Sequence, residues 1–164
     1  MTMSRPARLC ALAVYGLLLA APALPSLAAD STPAPAASDP LAPARAQLAA
    51  KHWQAAIEEL QRVNATGSAD WNNLMGYSMR MRKTPDLDAA ERYYAEALRL
   101  DPKHRGTLEY SGELALMKGD LPTAEQRLAA LDKVCTFSCE EYRDLKKAIA
   151  AYKANGNKYV AKAD

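Results

Sequence analysis

Trp53-Gln-Ala-Ala-Ile-Glu-Glu-Leu-Gln-Arg-Val63, Leu87-Asp-Ala-Ala-Glu-Arg-Tyr-Tyr-Ala-Glu-Ala97 and Leu121-Pro-Thr-Ala-Glu-Gln-Arg-Leu-Ala-Ala-Leu131 align without gaps. Their first residues are spaced by 34, twice. A leading apolar residue is followed by Ala three positions on and by apolar or small residues seven and ten positions on. The matched sets are Trp53/Leu87/Leu121, Ala56/Ala90/Ala124, Leu60/Tyr94/Leu128 and Val63/Ala97/Leu131. Offsets of 3, 7 and 10 fall on one stripe of a helix, so each segment is predicted as an amphipathic helix. The shared Ala lets a neighbouring helix approach closely.

Working outward, a second helix is predicted before each copy. Asp70 to Met81 carries Trp71, Leu74, Met75, Gly76 and Met79, and Arg105 to Lys118 carries Leu108, Ser111, Gly112 and Ala115. Leu41 to Lys51 is a shorter, Ala-rich version. Gly119-Asp120 reads as a helix stop followed by an N-cap, with Pro122 tolerated in the first turn. Asp86 takes the same cap place after Thr84-Pro85, and Asp101-Pro102 ends the second copy. Periodic helix pairs predict an all-α fold whose repeats bury a continuous core by stacking.

After the third copy, Ser138 and Glu141 read as an S-x-x-E capping box. Tyr142, Leu145, Ile149 and Tyr152 then make the stripe of a last helix over 138–153, expected to cover the open end of the stack. Arg143, Lys146, Lys147 and Lys153 suit its solvent face.

The period, the small residues at Gly76, Gly112, Ala90 and Ala124, the aromatic Tyr94 and the closing Pro102 together resemble the tetratricopeptide repeat (TPR) family. The resemblance spans about 41–134, with a partial copy at 41–68 and full copies at 69–102 and 103–136. Thr84-Pro85 is an insertion relative to the family pattern, Trp71 sits one residue early, and the first copy lacks both glycines. The chain also looks like small exported bacterial TPR proteins ending in a Cys-x-x-x-Cys-Glu-Glu-Tyr segment, here Cys135 to Tyr142. The resemblance implies a short right-handed α-solenoid over 41–154 with no catalytic activity. It also implies a concave groove lined by the first helix of each pair. Register from the two glycines puts Asn73, Tyr77, Arg80, Glu109, Tyr110, Glu113 and Met117 in that groove, with Arg45 as the contribution of the partial copy. Tyr and Arg there suit a binding face. Asn73 and Arg80 could hold a peptide carboxylate, whereas Glu109 and Glu113 favour a segment of mixed or basic charge.

The ends read as processing and tether segments. Met1 to Arg8 is positive, Leu9 to Ala21 is apolar, Pro22 and Pro25 break the run, and Ser26-Leu-Ala-Ala29 offers small residues for cleavage after Ala28 or Ala29. That order is a signal peptide over 1–29, and the unbroken run is too short for a membrane span. Residues 30–40 are expected to be a flexible linker, 155–164 a frayed tail, and the protein periplasmic or secreted.

Charge and chemistry narrow the function classes. In 164 residues, 21 Lys+Arg face 19 Asp+Glu, and Arg5 and Arg8 account for the surplus because nothing acidic precedes Asp30. A neutral mature chain disfavours nucleic-acid binding and stable attachment to anionic membranes. With Cys10 in the signal segment, Cys135 and Cys139 are an even pair in an exported protein. They read first as a structural disulfide, with a thiol-redox pair as the alternative. Met75, Met79 and Met81 are a weak candidate for a Cu(I) site, because Met81 turns away from the helix face the other two share. His52 and His104 read as exposed turn residues without ligand-spaced partners. No nucleophile elbow, phosphate loop or HExxH motif occurs, so neither an enzyme nor a cofactor is expected. The expectation is a non-catalytic module that docks a protein or peptide partner. A periplasmic copper or redox accessory protein and a structural envelope subunit are the alternatives, and self-association through an open end stays in play.

Overall fold

Three residues spaced by 34, His52, Asp86 and Asp120, stand at the N-caps of three helices in the computed structural model, which describes residues 39–159. The described residues form α1 (Ala42–Ala49), α2 (Trp53–Val63), α3 (Ala69–Met81), α4 (Leu87–Leu100), α5 (Arg105–Met117), α6 (Leu121–Val134) and α7 (Glu140–Ala154). No strand occurs among them, so the fold is all-α. No helix among them is long and apolar enough to cross a membrane. The expected signal segment and most of the expected linker lie outside the described residues. The linker's last residues are already part of the fold, since Asp39 Oδ1 accepts from the Leu41 amide at 2.9 Å and Leu41 is buried.

Local chemistry sets the helix ends. Asp86 and Asp120 accept from the amides of Ala89 and Thr123 at 2.9 and 3.0 Å, as their N-cap places require. α5 ends in a Schellman turn. Gly119, at φ +80°, donates to Leu116 O and Asp120 donates to Ala115 O. The same pair of bonds closes α1 around Lys51, which takes a left-handed φ of 58° where α5 has glycine. Thr84-Pro85 replaces that turn after α3, and the chain is closed there by the Asp86 amide donating to Met79 O at 3.0 Å.

Chain-adjacent helices pack as α1 on α2, α3 on α4 and α5 on α6, while α3 also touches α5 directly. Ala56, Ala90 and Ala124 are each fully buried, which is where the shared Ala was expected to admit a neighbour. Gly76 brings α3 against the ring of Tyr94, and Gly112 brings α5 against Leu145. One core cluster gathers Leu41, Ile57, Leu60, Trp71, Leu74 and Met75, and another gathers Leu108, Leu116, Leu131, Leu145, Ile149 and Tyr152. α7 lies on α5 and α6 through the predicted stripe, with Leu145, Ile149 and Tyr152 buried.

The start of α7 differs from the expected capping box. Its N-cap is Cys139, with no side-chain cap, and Ser138 stays outside the helix, its carbonyl accepting from Arg143 Nη1 at 2.7 Å. The cause is the Cys135–Cys139 disulfide, with Cα atoms 5.6 Å apart. Cys135 is the C-cap of α6, so the bridge pins Cys139 at the entry to α7. Its closed loop is short, which keeps the chain-entropy stabilisation below about 3 kcal/mol.

His104 also differs from an exposed turn residue. It is the N-cap of α5, with Nδ1 accepting from the Thr107 amide at 3.1 Å and Nε2 facing Asp70 Oδ1 at 2.8 Å. An acceptor role for Nδ1 leaves Nε2–H as the donor to Asp70. Arg45 Nη2 reaches the other Asp70 oxygen at 3.0 Å. The His104 bond, aided by Arg45 and opposed by partial burial, holds the Asp70 carboxyl below its ordinary value of 3.8. A depressed carboxyl stabilises the fold above the ordinary carboxylate range and loses that contribution as pH falls through its folded pKa. We therefore expect Asp70→Asn to cost up to about 1 kcal/mol at pH 7, the side chain being half exposed. The gap to wild type should narrow near pH 3, as read by urea unfolding at both pH values. A gap that stays constant would show that the charge contributes nothing.

Candidate functional site

Helical spacing puts Tyr77, Arg80 and Met81 on one side of α3, and Glu109, Glu113 and Met117 four apart on α5. These two faces meet in a concavity of about 580 Å³. Six of the seven residues expected in the groove line it: Tyr77, Arg80, Glu109, Tyr110, Glu113 and Met117. Asn73 does not. It is buried, and its Oδ1 accepts from Thr107 Oγ1 at 3.1 Å. Arg45 is held by Asp39 and Asp70 and does not line the concavity.

The centre of the concavity is an ion pair roofed by aromatics. Arg80 Nη2 lies 2.8 Å from Glu113 Oε2, and both side chains are almost wholly removed from solvent. The guanidinium carbon sits 5.5 and 5.6 Å from the ring centroids of Tyr77 and Tyr110, within cation–π range. The two rings are 4.7 Å apart, and Trp53 meets Tyr77 edge-on at 5.9 Å. An aromatic row thus runs from α2 across α3 to α5.

Burial pulls the Arg80 guanidinium down, but Tyr94, Glu113 and Tyr159 outweigh it and hold the group above its ordinary value. Burial likewise pushes the Tyr94 phenol up, against the pull of Arg80. Among the described residues, neither Tyr94 Oη nor Arg80 Nε, both buried, has a hydrogen-bond partner of good geometry. Burial, reinforced by Glu109, pushes the Tyr110 phenol up to about 12. With its charge engaged by Glu113 and its faces covered, Arg80 is not placed to bind a peptide carboxylate. It serves as the floor on which Tyr77 and Tyr110 rest.

Around this floor the concavity is acidic. Glu109, Glu113, Glu140, Glu141 and Asp144 line it against Arg80 and Arg82. The α7 carboxylates were not expected there, because the repeat pattern says nothing about where a non-repeating helix sits. Tyr159 also lines the concavity, although it falls in the segment expected to be frayed. The sequence cue was Asn155-Gly-Asn157, a strong turn signature just before an aromatic residue.

The other candidates do not converge on this concavity. Met75 is buried in the core, Met79 is packed between clusters, and only Met81 lines the concavity. Among the described residues no group of three or more His, Cys, Asp or Glu is arranged to hold a metal. His52 is exposed and its Nδ1 faces Gln47 Oε1 at 3.1 Å. Phe137 stands 88% exposed at the tip of the disulfide loop. No family model, no curated protein and no solved structure matches the chain, so the concavity itself is what bears on its function.

Proposed function

We propose that the chain is a short TPR-like α-solenoid, exported to the periplasm or beyond the cell, that docks an extended segment of a partner protein in the α3–α5–α7 concavity without covalent chemistry. The observation that carries the reading is the meeting of six register-chosen residues in one acidic, aromatic-lined concavity. The partly exposed rings of Tyr77 and Tyr110 supply contact area with little loss of side-chain freedom, and the carboxylates select a basic segment. A concavity of this size supports affinity on the order of micromolar.

The test uses two fluorescein-labelled degenerate peptide pools of roughly twelve residues, identical except that one carries Lys where the other carries Glu. The Lys pool should bind and the Glu pool should not. Charge reversal at the rim, Glu140→Lys with Asp144→Lys, should weaken Lys-pool binding at least about tenfold while the helical spectrum is unchanged. Equal binding of both pools, or binding of neither, would sink the reading.

A further inference from the structure

α5 borders a second hollow. Residues two apart on a helix lie about 200° around it, so Ser111 and Ala115 face away from Glu109 and Glu113. With α4 and α6 they bound a separate cleft of about 200 Å³. Each helix lines it with residues seven apart, Glu91 and Leu98, Ser111 and Lys118, Asp120 and Arg127, so about two helical turns separate its ends. At the end by the α5–α6 turn the charges are engaged within the fold. Lys118 Nζ lies 2.6 Å from Glu91 Oε2 and 3.3 Å from Asp88 Oδ1, and Asp120 accepts from the Thr123 amide at 3.0 Å. At the other end stands Arg127. Its stem lies against α5, since a Cβ at Gly112 would come within 3.3 Å of Arg127 Cβ. Among the described residues Arg127 forms no ion pair, and its buried Nε has no hydrogen-bond partner of good geometry. A buried donor without an acceptor is costly, and an acceptor entering from outside removes that cost. Between the two ends the wall is apolar, from Ala95, Leu98, Leu114 and Ala115.

We propose that the α4–α5–α6 cleft binds a small aliphatic monocarboxylate, its head on Arg127 and its chain along the apolar wall. The cleft is separate from the docking concavity, so the two stand or fall independently. A planar guanidinium holds a carboxylate by parallel N–H bonds, and the Arg127 Nε–H supplies one of them. A dianion such as phosphate requires more free positive charge than the cleft offers. Lys118 is engaged by Asp88 and Glu91, and the first turn of α6 is capped by Asp120. The carboxylates at that end also disfavour a second anionic group on the ligand. The volume is that of about seven waters, which suits a chain of about four to six carbons. A ligand of so few atoms binds with a dissociation constant on the order of 1 mM.

The experiment titrates hexanoate into nitrogen-15-labelled protein and follows the Arg127 Nε–H resonance with the backbone amides of Ala95 and Ala115. Hexanol and hexylamine share the chain without the carboxylate, and inorganic phosphate has charge without the chain. Hexanoate should shift the resonances saturably, with a dissociation constant on the order of 1 mM, and the three controls should bind at least about tenfold more weakly. Arg127→Gln should weaken hexanoate at least about tenfold on the amide signals. Arg127→Lys keeps the charge without the fork and should restore only part of the affinity. Ala95 is exposed at the rim, so Ala95→Leu narrows the cleft while leaving Arg127 and the core in place, and should also weaken hexanoate. The proposal falls if hexanoate gives no saturable shift. It falls equally if hexanol or phosphate binds as tightly, or if Ala95→Leu or folded Arg127→Gln binds hexanoate like wild type. Should Arg127→Gln fail to fold, the ligand series on wild type and Ala95→Leu still decide.

Discussion

Arg80→Met should lower the unfolding free energy by about 3–5 kcal/mol, the largest loss expected from any single change on the concave face. The reason is the state in which it leaves Glu113. That carboxylate is 5% exposed as a residue, and Arg80 Nη2 is 2.8 Å from its oxygen. Removing the cation takes the Arg80 salt bridge from a carboxylate in a site that water hardly reaches. The loss is not a measure of what the pair contributes. Taking two ions out of water costs several kcal/mol each, and their mutual attraction offsets most of that only because the geometry is good. Replacing both at once, Arg80→Met with Glu113→Leu, should therefore recover most of the stability. Arg80 Nε has no well-formed hydrogen bond among the described residues, which strengthens this expectation, because the double variant removes that atom outright. Urea unfolding of the two singles and the double measures it. A double variant that loses as much as the two singles together would show that the pair stabilises the fold beyond its own desolvation. The chosen methionine also spares Tyr77 and Tyr110 a cavity, since its unbranched chain fills the space under the rings.

This buried pair also shows where sequence reading stops. Period and register put Arg80 and Glu113 on the groove side of their helices, and the structure has them lining the concavity. Hydropathy then misleads, because a charged residue at a groove position looks the same whether it meets solvent or a partner 33 residues away. Asn73 is lost to the groove for a related reason. Thr107 reaches it from the next helix pair, a bond that no pattern within one copy encodes. Residues with one structural duty were the legible ones. Ala56, Ala90 and Ala124 are small because helices cross there, and the bounds of α2 follow directly from its stripe. The non-repeating end was read least well. Ser138 looked like a cap, but a covalent bridge at Cys139 settles where α7 begins. Tyr159 looked like tail because only the three-dimensional course of α7 brings the chain back to the concavity.

Gly76→Ala should destabilise by about 2–3 kcal/mol, against the usual gain of about 1 kcal/mol from replacing glycine inside a helix. A Cβ at Gly76 would lie 2.6 and 2.7 Å from Cε1 and Cδ1 of Tyr94. Tyr94 is 1% exposed, and its ring is an inflexible plate whose phenol lies by the buried Arg80, so it cannot step aside. Gly112→Ala meets a different neighbour. Its Cβ would come within 2.6 Å of Leu145 Cδ2 and 2.8 Å of Cδ1, but these are the ends of a branched chain that can change rotamer. Its cost should be smaller, about 1–2 kcal/mol. Gly67 supplies the control, since nothing lies within 4 Å of its would-be Cβ, and Gly67→Ala should be neutral or slightly stabilising. The mechanism has its own signature. Combining Gly76→Ala with Tyr94→Leu should cost less than the two changes summed, because the shorter side chain vacates the space the methyl needs. If instead Gly76→Ala is as stable as wild type, α3 and α4 can separate by a few tenths of an ångström at no cost. The close approach that positions Arg80 under Tyr77 and Tyr110 would then owe nothing to the glycine.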